Sequence, residues 1–519
     1  MKRRAVDGQI RKEDYYAQQE KKTIEPLYKN FPTADEHILA QRRLVRHGQQ
    51  TKFDQSKLSN IYKCHMAALN TKFSECIAKD EDISLASVEY LWYAQRIEHE
   101  LNAKNTVVVS FGSGDCGQLG HGTQSDKDTV VAIPRAIESL RNKQIAIVAC
   151  GGLHNVACTN DGYVYTWGCN DEASLGRPGD EARPMRVDMP SECGFVSHVA
   201  AGDTQSLAVT SRGDVYAWGC YKDKEGKAWF DTNDTLPPKR KQESPLLIEA
   251  LRNIVRVDCG SAYNAALKSD GSLLTWGIGE IGELGRSKKL RPLRNSENGK
   301  YDTDAIERDH LTPRKVLSLC KAFACGAYHL LAANNAGTLF TSGLNNYGQL
   351  GDGTRRDRAR LRPILRKAHV LQLAGGQHHS LCLLTSKQLL AFGRADYGQL
   401  GLGKDTGTEP GSFVMIPTPI PHLRFDLLCS GSNHCIGLSL SSSSAPSIYA
   451  WGYGDMNALG LGSSSSESQD KFEPTLVNLD ACALFSQDNE DDSAEKQLNI
   501  SILAAGGQHS VLVVSPPPE

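Results

Sequence analysis

Short runs of apolar residues recur along most of this chain, and nearly all of them end in an aromatic residue followed by glycine. The first run, VVVSFG, ends at Gly112, and six more end at Gly168, Gly219, Gly277, Gly343, Gly393 and Gly452. Four of the six tryptophans stand directly before these glycines. Short apolar runs bounded by turn residues predict β-strands, so each copy marks one strand of a repeated unit.

Two further signatures repeat in phase with these runs. A Leu-Gly motif such as GQLG follows every run except the third, after which the chain reads CYKDKEGKAWF. An apolar run, a glycine turn and a second apolar run, such as VACGGLHNVAC, precede every run except the first. The aromatic-glycine positions are 50 to 66 residues apart, which is enough for four strands in each unit.

The repeat is out of phase at its two ends. The first unit lacks its opening half, and a last glycine-turn copy, LAAGGQHSVLV, has no aromatic-glycine run after it. Joined, the two halves make one complete unit, and closing a ring in this way removes exposed sheet edges. We therefore predict an all-β fold, a seven-bladed β-propeller over residues 105–515, closed by strands from both ends of the repeat region.

Gly112, Gly114 and Gly117 match the G-x-G-x-x-G pattern of a dinucleotide-binding turn. A helix should follow that turn, but Gly120 and Gly122 come next, and glycine inside a helix costs about 1 kcal/mol per residue. The repeat explains the same glycines without a nucleotide, so no cofactor is expected. The net charge of −2 favours neither nucleic acid nor membranes, and the 15 cysteines suit a reducing compartment better than a disulfide framework.

The repeats resemble those of the regulator of chromosome condensation family. WGCNDEASLGR at 167–177, GRADYGQLGLG at 393–403 and the long insert between 286 and 323 carry the resemblance. The family's namesake is an exchange factor for the small GTPase Ran, bound to chromatin. Its β-wedge corresponds to YKDKEGKAWF at 221–230, in the one unit that lacks a Leu-Gly motif.

The resemblance implies a set of site residues on one face of the disc. It makes Asp203 and His378 catalytic and gives partner contacts to Asp115, His154 and His509. The wedge adds Tyr221, Lys222, Asp223, Lys224, Glu225, Gly226 and Lys227. The third glycine turn departs from the family pattern, because Ala262 stands where an acidic residue is expected.

Each of these residues also has a structural interpretation. The histidines at 154, 329, 378, 434 and 509 recur in a G-x-x-H pattern, so each can instead fix a blade turn through a hydrogen bond. Asp203 and Asp115 can cap turns, and residues 221–230 can be an ordinary hairpin. The cysteines before the turn glycines, Cys150, Cys259 and Cys325, fall on separate blades, so we predict no metal site and read them as buried apolar residues.

Residues 1–104 lack the repeat, and we predict a partly helical, mildly basic extension there. Apolar spacing predicts an amphipathic helix at 83–101, and Lys and Arg outnumber Asp and Glu through residue 63. A basic arm of this kind suits phosphate backbones or nuclear import, and a solvated helical face is the alternative.

From the resemblance we expect a guanine-nucleotide exchange factor for a Ran-like small GTPase, acting without covalent chemistry in the nucleus on chromatin. Histones and DNA are implied as further partners, through the N-terminal extension or the opposite face of the disc, and no membrane is expected. The alternative is a non-catalytic adaptor that binds a GTPase or chromatin partner with the same face.

Overall fold

The computed structural model describes residues 106–122, 129–223, 225–230, 239–286, 309–440, 446–462, 470–479 and 498–515. The predicted extension at 1–104 and Lys224 therefore lie outside the described residues. Among the described residues, no helix is long and apolar enough to cross a membrane.

Seven four-stranded antiparallel sheets form the blades of a β-propeller, which confirms the predicted fold class. Blade 1 contains strands from both ends of the repeat region, in the order β2-β1-β30-β29. Its strands are β1 (Val107–Ser113), β2 (Val130–Ala136), β29 (Asn499–Ala505) and β30 (His509–Ser515). Residues 107–112 of β1 pair with residues 509–514 of β30, so backbone hydrogen bonds close the ring.

The other blades follow one another along the chain. Blade 2 contains β3 (Ile145–Cys150), β4 (His154–Thr159), β5 (Val164–Gly168) and β6 (Met185–Arg186). Blade 3 contains β7 (Val196–Ala201), β8 (Gln205–Thr210), β9 (Val215–Gly219) and β12 (Gln242–Leu247). A separate two-stranded hairpin of β10 (Tyr221–Lys222) and β11 (Ala228–Trp229) is inserted between β9 and β12.

Blades 4 to 7 repeat the same plan. Blade 4 contains β13 (Ile254–Cys259), β14 (Tyr263–Lys268), β15 (Leu273–Gly277) and β16 (Arg314–Leu317); blade 5 contains β17 (Cys320–Cys325), β18 (His329–Asn334), β19 (Leu339–Gly343) and β20 (Arg358–Leu365). Blade 6 contains β21 (Val370–Gly375), β22 (His379–Leu384), β23 (Leu389–Arg394) and β24 (Phe413–Pro419); blade 7 contains β25 (Leu427–Ser430), β26 (His434–Ser439), β27 (Ser447–Gly452) and β28 (Lys471–Leu476).

The hydrophobic core lies between successive blades and explains two of the sequence signatures. Trp218 of blade 3 is fully buried, and its indole Nε1 donates a 2.8 Å hydrogen bond to the Ser174 carbonyl in the Leu-Gly loop of blade 2. Gly176 of that loop has φ +63°, and a Cβ there would lie 2.7 Å from the Trp218 ring. The aromatic-glycine and Leu-Gly motifs are thus two halves of one contact between neighbouring blades.

Candidate functional site

The seven glycine turns between the first and second strands of the blades form a closed ring on one face. The N–H of Asp203 donates to the Ser261 carbonyl (3.3 Å), Ser261 donates to Ala327 (3.0 Å), and the same link continues from blade to blade. It returns from the N–H of Gly507 to the Gly151 carbonyl (3.2 Å) and from Gly152 to Gly202 (3.1 Å). This backbone ring is a rigid frame for the side chains on it.

Buried polar side chains at the start of each second strand connect neighbouring blades below this ring. His329 donates from Nε2 to the Ser380 hydroxyl (2.8 Å), which in turn donates to the Gln349 carbonyl (2.7 Å). The same position is occupied by His154, Gln205, Tyr263, His379, His434 and His509. Burial lowers the pKa of His329 to about 3 and that of His434 to about 4, so these rings are neutral hydrogen-bond donors at pH 7.

Two predicted contact residues, His154 and His509, belong to this buried set. His154 bonds to Ser206 (2.8 Å) and His509 to Asn155 (2.7 Å), and their exposed fractions are 1% and 0%. In this structure they hold blades together and offer no surface to a partner.

The repeated histidine of blade 6 is His379, not His378 as the G-x-x-H pattern suggested. The side chain of His379 is fully buried and lies 2.9 Å from the Ser430 hydroxyl and 3.1 Å from the Cys435 sulfur. His378 is one residue earlier, where the chain is still in the turn, and it is only half-buried. The two neighbouring histidines therefore face different environments.

Asp203 is an exposed residue on the ring of turns, and its carboxylate lies against Gly152 and Ser261 of the neighbouring blades. The other positions that link the ring are Gly152, Ser261, Ala327, Gln377, Ser432 and Gly507, so Asp203 is the one acidic residue among these seven described positions. The Ser261 hydroxyl donates to its carboxylate, and surrounding protein raises its pKa by desolvation. A Cβ at Gly152 would lie 3.2 Å from Asp203 Oδ1, so glycine leaves room for the carboxylate.

His378 lies in a continuous series of aromatic and cationic side chains from blades 5 and 6 that contact one another. Its ring centroid is 5.9 Å from that of Tyr328 and 5.1 Å from that of Tyr347. The Arg394 guanidinium packs between Tyr347 (4.9 Å) and Tyr397 (4.6 Å), and it pairs with Asp396 at 2.7 Å. Burial, with a smaller contribution from Arg394, lowers the pKa of His378 to about 4, so this ring is uncharged at pH 7.

This series was absent from the sequence prediction apart from His378. A signal was present, since a tyrosine stands directly before GQLG in both NNYGQLG and ADYGQLG. Its meaning depends on blades packing side by side, which the repeat alone does not specify.

Asp115 is exposed in the loop after β1, among the carboxylates of blades 1 and 2. Burial raises the pKa of the neighbouring Cys116 thiol, and the charges of Asp115, Asp171 and Glu181 raise it further. These three carboxylates therefore lie near the thiol. Glu172, the residue after Asp171, forms a 2.6 Å ion pair with Lys222 of the hairpin. The acidic group and the hairpin thus adjoin each other on this side of the disc.

Residues 221–230 form a two-stranded hairpin whose base is buried. Tyr221 pairs with Trp229 across the hairpin and stacks on Phe230 with ring centroids 6.0 Å apart. The Tyr221 hydroxyl accepts a 3.2 Å hydrogen bond from Trp276 Nε1. The other tryptophans of the aromatic-glycine runs, Trp167, Trp218 and Trp451, donate to a carbonyl of a Leu-Gly loop instead. The Tyr221 hydroxyl takes the place of that carbonyl, which explains why blade 3 can lack the motif.

The hairpin tip is charged, exposed and ordered by Asp223. The Asp223 carboxylate accepts hydrogen bonds from the N–H groups of Glu225 (3.1 Å) and Lys227 (2.8 Å) and from Trp229 Nε1 (2.9 Å). Glu225, Gly226 and Lys227 are exposed, and the Lys227 ammonium lies 3.9 Å from the Trp229 ring centroid. Of the predicted wedge residues, Tyr221 is an anchor of the base and the described charged residues form the tip.

The hairpin and Asp203 meet at one place. Cys220, directly before the hairpin, receives a 2.8 Å hydrogen bond from the Thr204 hydroxyl and donates from its N–H to the Thr204 carbonyl (3.0 Å). Thr204 is the residue after Asp203. The structure therefore joins the base of the hairpin to the acidic turn, whereas His378 lies three blades further round the ring.

The cysteines before the turn glycines have no ligand-like arrangement. Burial raises the pKa of Cys150, Cys259 and Cys325 well above the usual range for a thiol. Within the described ranges, no group of three or more His, Cys, Asp or Glu could hold a metal ion.

Residues 107–512 match the RCC1-like domain. The chain belongs to this family. The regulator of chromosome condensation of Xenopus laevis is 30% identical over 426 residues, covering 78% of this chain and 89% of that protein. The guanine nucleotide exchange factor SRM1 of Saccharomyces cerevisiae is 26% identical and covers 78% of this chain and 86% of that protein.

Other similarities widen the range of functions in the family. The ultraviolet-B receptor UVR8 of Arabidopsis thaliana is also 30% identical, covering 72% of this chain and 77% of that protein. The crystal structure of Prp20p from Saccharomyces cerevisiae, described with its binding to Gsp1p and histones, has a TM-score of 0.66 and 26% identity. It covers 81% of this chain and 94% of that one. Membership of the RCC1-like family therefore does not by itself assign nucleotide exchange.

Proposed function

We propose that this protein is a guanine-nucleotide exchange factor for a Ran-like small GTPase. The observation that carries the proposal is the hairpin of blade 3, which is joined through Cys220 and Thr204 to the turn that holds Asp203. Exchange-factor relatives that align over most of the chain support the same interpretation.

The site suits a reaction that needs no covalent step. A GTPase holds its nucleotide through a phosphate-binding loop and Mg²⁺. A protein that binds the nucleotide-free GTPase more tightly must weaken nucleotide binding by the same factor, because the two equilibria are linked. In the proposal, the charged tip at Lys222–Lys227 displaces elements of the GTPase, while Asp203, Asp115 and His378 hold it on the ring face.

We also propose a cellular location and further binding partners. We infer a nuclear, chromatin-associated protein that also contacts histones, because relatives are named for chromosome condensation and one solved relative is described with histones. A second candidate function is a non-catalytic adaptor that binds a partner with the same face. The 30% identity to the ultraviolet-B receptor UVR8 supports it, because that relative is named as a receptor and not as an exchange factor.

Release of a fluorescent GDP analogue from candidate GTPases separates the two functions. An exchange factor accelerates release from a Ran-like GTPase at catalytic concentrations, whereas an adaptor binds the loaded GTPase without changing the release rate. Affinity for the loaded and nucleotide-free forms is measured on the same pair. Equal affinity for the two forms would exclude exchange by linkage and leave the adaptor.

A further inference from the structure

The residue after each aromatic-glycine run has the same backbone role in every blade. Its N–H donates to a carbonyl of the glycine turn in its own blade, as Tyr453 does to Asn433 (2.9 Å) and Arg394 does to His378 (2.9 Å). The seven positions are occupied by Ser113, Cys169, Cys220, Ile278, Leu344, Arg394 and Tyr453. Arg394 is the one charged residue among them, and the residue that it holds through this bond is His378.

The side chain of Arg394 is fixed by a bidentate ion pair with Asp396. Arg394 Nε donates to Asp396 Oδ1 (2.7 Å) and Nη2 donates to Oδ2 (3.0 Å). Asp396 Oδ2 also accepts the N–H of Gly411 (2.9 Å), and the Asp396 side chain is only 5% exposed. Two parallel hydrogen bonds to a buried carboxylate set the plane of the guanidinium as well as its position.

The fixed guanidinium holds Tyr347 of blade 5 next to His378 of blade 6. The guanidinium carbon of Arg394 lies 4.9 Å from the ring centroid of Tyr347 and 4.6 Å from that of Tyr397. The Tyr347 ring in turn lies 5.1 Å from the His378 ring. A cation within about 6 Å of an aromatic centroid attracts the ring. Arg394 therefore acts on His378 twice, through its own N–H and through Tyr347.

The same loop of blade 5 determines which nitrogen of His378 carries the proton. The N–H of Tyr347 donates to Gln349 Oε1 (2.9 Å), which fixes the orientation of that amide. Gln349 Nε2 donates to Asn346 Oδ1 (3.0 Å) and faces His378 Nδ1 at 3.5 Å. Because an amide nitrogen is a donor, Nδ1 is the acceptor, and the neutral His378 ring carries its proton on Nε2.

We propose that Arg394 is a positioning residue for His378, because it holds Tyr347 against the imidazole and so keeps the ring in one orientation. This inference rests on the proposed function, in which His378 contacts the GTPase. A side chain that is already held in its binding orientation loses less conformational freedom when a partner binds. In the proposed function the contact favours the nucleotide-free GTPase, so Arg394 should affect the release rate far more than affinity for the loaded form.

The charges around His378 give a readout that does not need a GTPase. Burial lowers the pKa of His378 to about 4, Arg394 lowers it further, and Asp396 opposes the shift. The neighbouring His329 and His379 are neutral at pH 7, because burial lowers the pKa of each to about 3. In the described part of the chain, Arg394 and Asp396 are the charges that act on this ring, so loss of Arg394 should raise the pKa of His378.

The test uses full-length variants and a matched control. Arg394→Gln removes the charge and the ion pair, whereas Arg394→Lys keeps the charge but loses the planar group that packs on Tyr347. Each is compared with His378→Ala and with the double variant Arg394→Gln/His378→Ala. The control is Arg358→Gln, which removes an arginine of blade 5 that also pairs with an aspartate, Asp352, at 2.8 Å. Thermal unfolding checks that every variant stays folded.

The first measurement is release of a fluorescent GDP analogue from a Ran-like GTPase at saturating exchange factor, together with affinity for the loaded form. We expect Arg394→Gln to slow release about tenfold while affinity for the loaded form stays within about threefold, and the control to stay near the original rate. The double variant should be no slower than His378→Ala alone, because Arg394 acts through His378. A double variant slowed by the product of the two single effects would overturn the proposal, as would a normal release rate in Arg394→Gln.

The second measurement is a titration of His378 in the free protein by NMR of nitrogen-15-labelled histidine. We expect Arg394→Gln to raise the pKa of His378 and to mix the two neutral tautomers, Arg394→Lys to raise the pKa less, and Arg358→Gln to change neither. If the original chain accelerates release from no GTPase, the proposed function fails, and this titration still decides whether Arg394 positions the ring. An unchanged pKa and tautomer in Arg394→Gln would overturn the positioning role.

Discussion

The turn of blade 6 places two neighbouring histidines in opposite surroundings. His379 is enclosed at the contact with blade 7, whereas His378 packs against Tyr328 and Tyr347 and is only half-buried. Burial lowers the pKa of both, so both are neutral at pH 7, and only accessibility distinguishes them. A partner on the ring face can reach His378, while His379 can only affect stability.

Removing either ring-face side chain should impair exchange without unfolding the protein. We expect Asp203→Ala and His378→Ala to slow nucleotide release by about 1–3 kcal/mol in activation free energy, the range for losing a charged or partly buried polar contact. Asp405→Ala and His422→Ala, at exposed positions outside the glycine turns that form the ring, serve as controls. Normal release rates in both ring-face variants would show that these residues only shape the turns.

The buried histidines predict loss of stability in acid. The pKa of His434 is about 4 in the folded protein, below its ordinary value of 6.5. Between these values the unfolded chain binds a proton that the folded chain does not, so stability falls as the pH falls through this window. His434→Gln should keep a donor, as Gln205 does in blade 3, and reduce this dependence by up to about 1.4 kcal/mol per pH unit.

Urea unfolding at pH 7.5, 6.0 and 5.0 checks this prediction. His434→Ala is the contrasting variant, because it removes the donor to Ser510 and should lower stability at every pH. An unchanged pH dependence in His434→Gln would mean that the proton uptake belongs to other groups.

At the scale of single elements, the hairpin of blade 3 combines a structural base and an exposed tip. Tyr221, Trp229 and Phe230 pack into the core between blades 3 and 4, where Tyr221 also satisfies Trp276. Lys222, where the charged tip begins, forms an ion pair with Glu172 of blade 2. The two parts can therefore be separated by mutation.

Trimming residues 222–227 to a two-residue turn should leave the propeller folded, because Lys222, Glu225, Gly226 and Lys227 are exposed. A displacing element mainly stabilises the nucleotide-free GTPase, so we expect release to fall far more than affinity for the loaded form. Both quantities are measured on one protein pair. Equal loss of the two would make the tip a docking contact, and normal release would remove it from the mechanism.

The Leu-Gly loop of blade 4 contains a titratable substitute for a neutral residue. Glu283 is buried, and its carboxylate accepts hydrogen bonds from the N–H groups of Ile281 (2.8 Å) and Gly282 (2.9 Å). Gln118, Gln349 and Gln399 accept the equivalent bonds in their own blades. Burial raises the pKa of Glu283 to about 7, with Glu280 adding to the shift.

Glu283→Gln should therefore stabilise the protein at alkaline pH and much less in acid. The folded protein holds a proton on Glu283 up to about pH 7, whereas the unfolded chain releases it near 4.5, so stability from this group is lost as pH rises between these values. We expect the variant to gain roughly 1–3 kcal/mol at pH 8 and little at pH 5. Melting temperatures at the two pH values test this, and an equal gain at both would contradict it.

At the scale of the whole molecule, stability depends on joining the two ends of the repeat. β30 contributes Leu512 and Val514 to the core with blade 7, and Val511 and Val513 to the core with blade 2. Without β29 and β30, the strand β1 loses its inner partner and both neighbouring cores lose apolar surface. Closure is therefore a cooperative property of the ring rather than of one blade.

Deleting residues 500–519 should abolish the cooperative thermal transition of the propeller. A control that lacks only residues 516–519 should melt like the full chain, because β29 and β30 remain. Circular dichroism and calorimetry on both proteins distinguish the cases. A truncated protein with a full transition at an unchanged temperature would show that the ring does not need its closing strands.

The sequence by itself determined the number of blades, the strand that each aromatic-glycine run forms and the closure of the ring. These features follow from local rules: continuous apolar runs bounded by turn residues form strands that are buried along their whole length, as β1 and β4 are, and glycine supplies the backbone conformations that the turns need. The half-repeats that end at 112 and contain 509 were sufficient to predict that strands from both ends share a blade. The sequence also predicted a turn at 223–227, because charged residues around a glycine are typical of an exposed turn.

Only the tertiary structure decided which side chains are accessible and which meet. His154 and Tyr221 are buried because a blade about fifty residues further along the chain covers them. His509 is covered by blade 2, where its partner Asn155 lies 354 residues away in the sequence. The contacts of Tyr347 with His378 and with Arg394 likewise depend on how blades 5 and 6 pack against each other. A repeat specifies equivalent positions in each unit, but contacts between units are set by the packing of the closed ring.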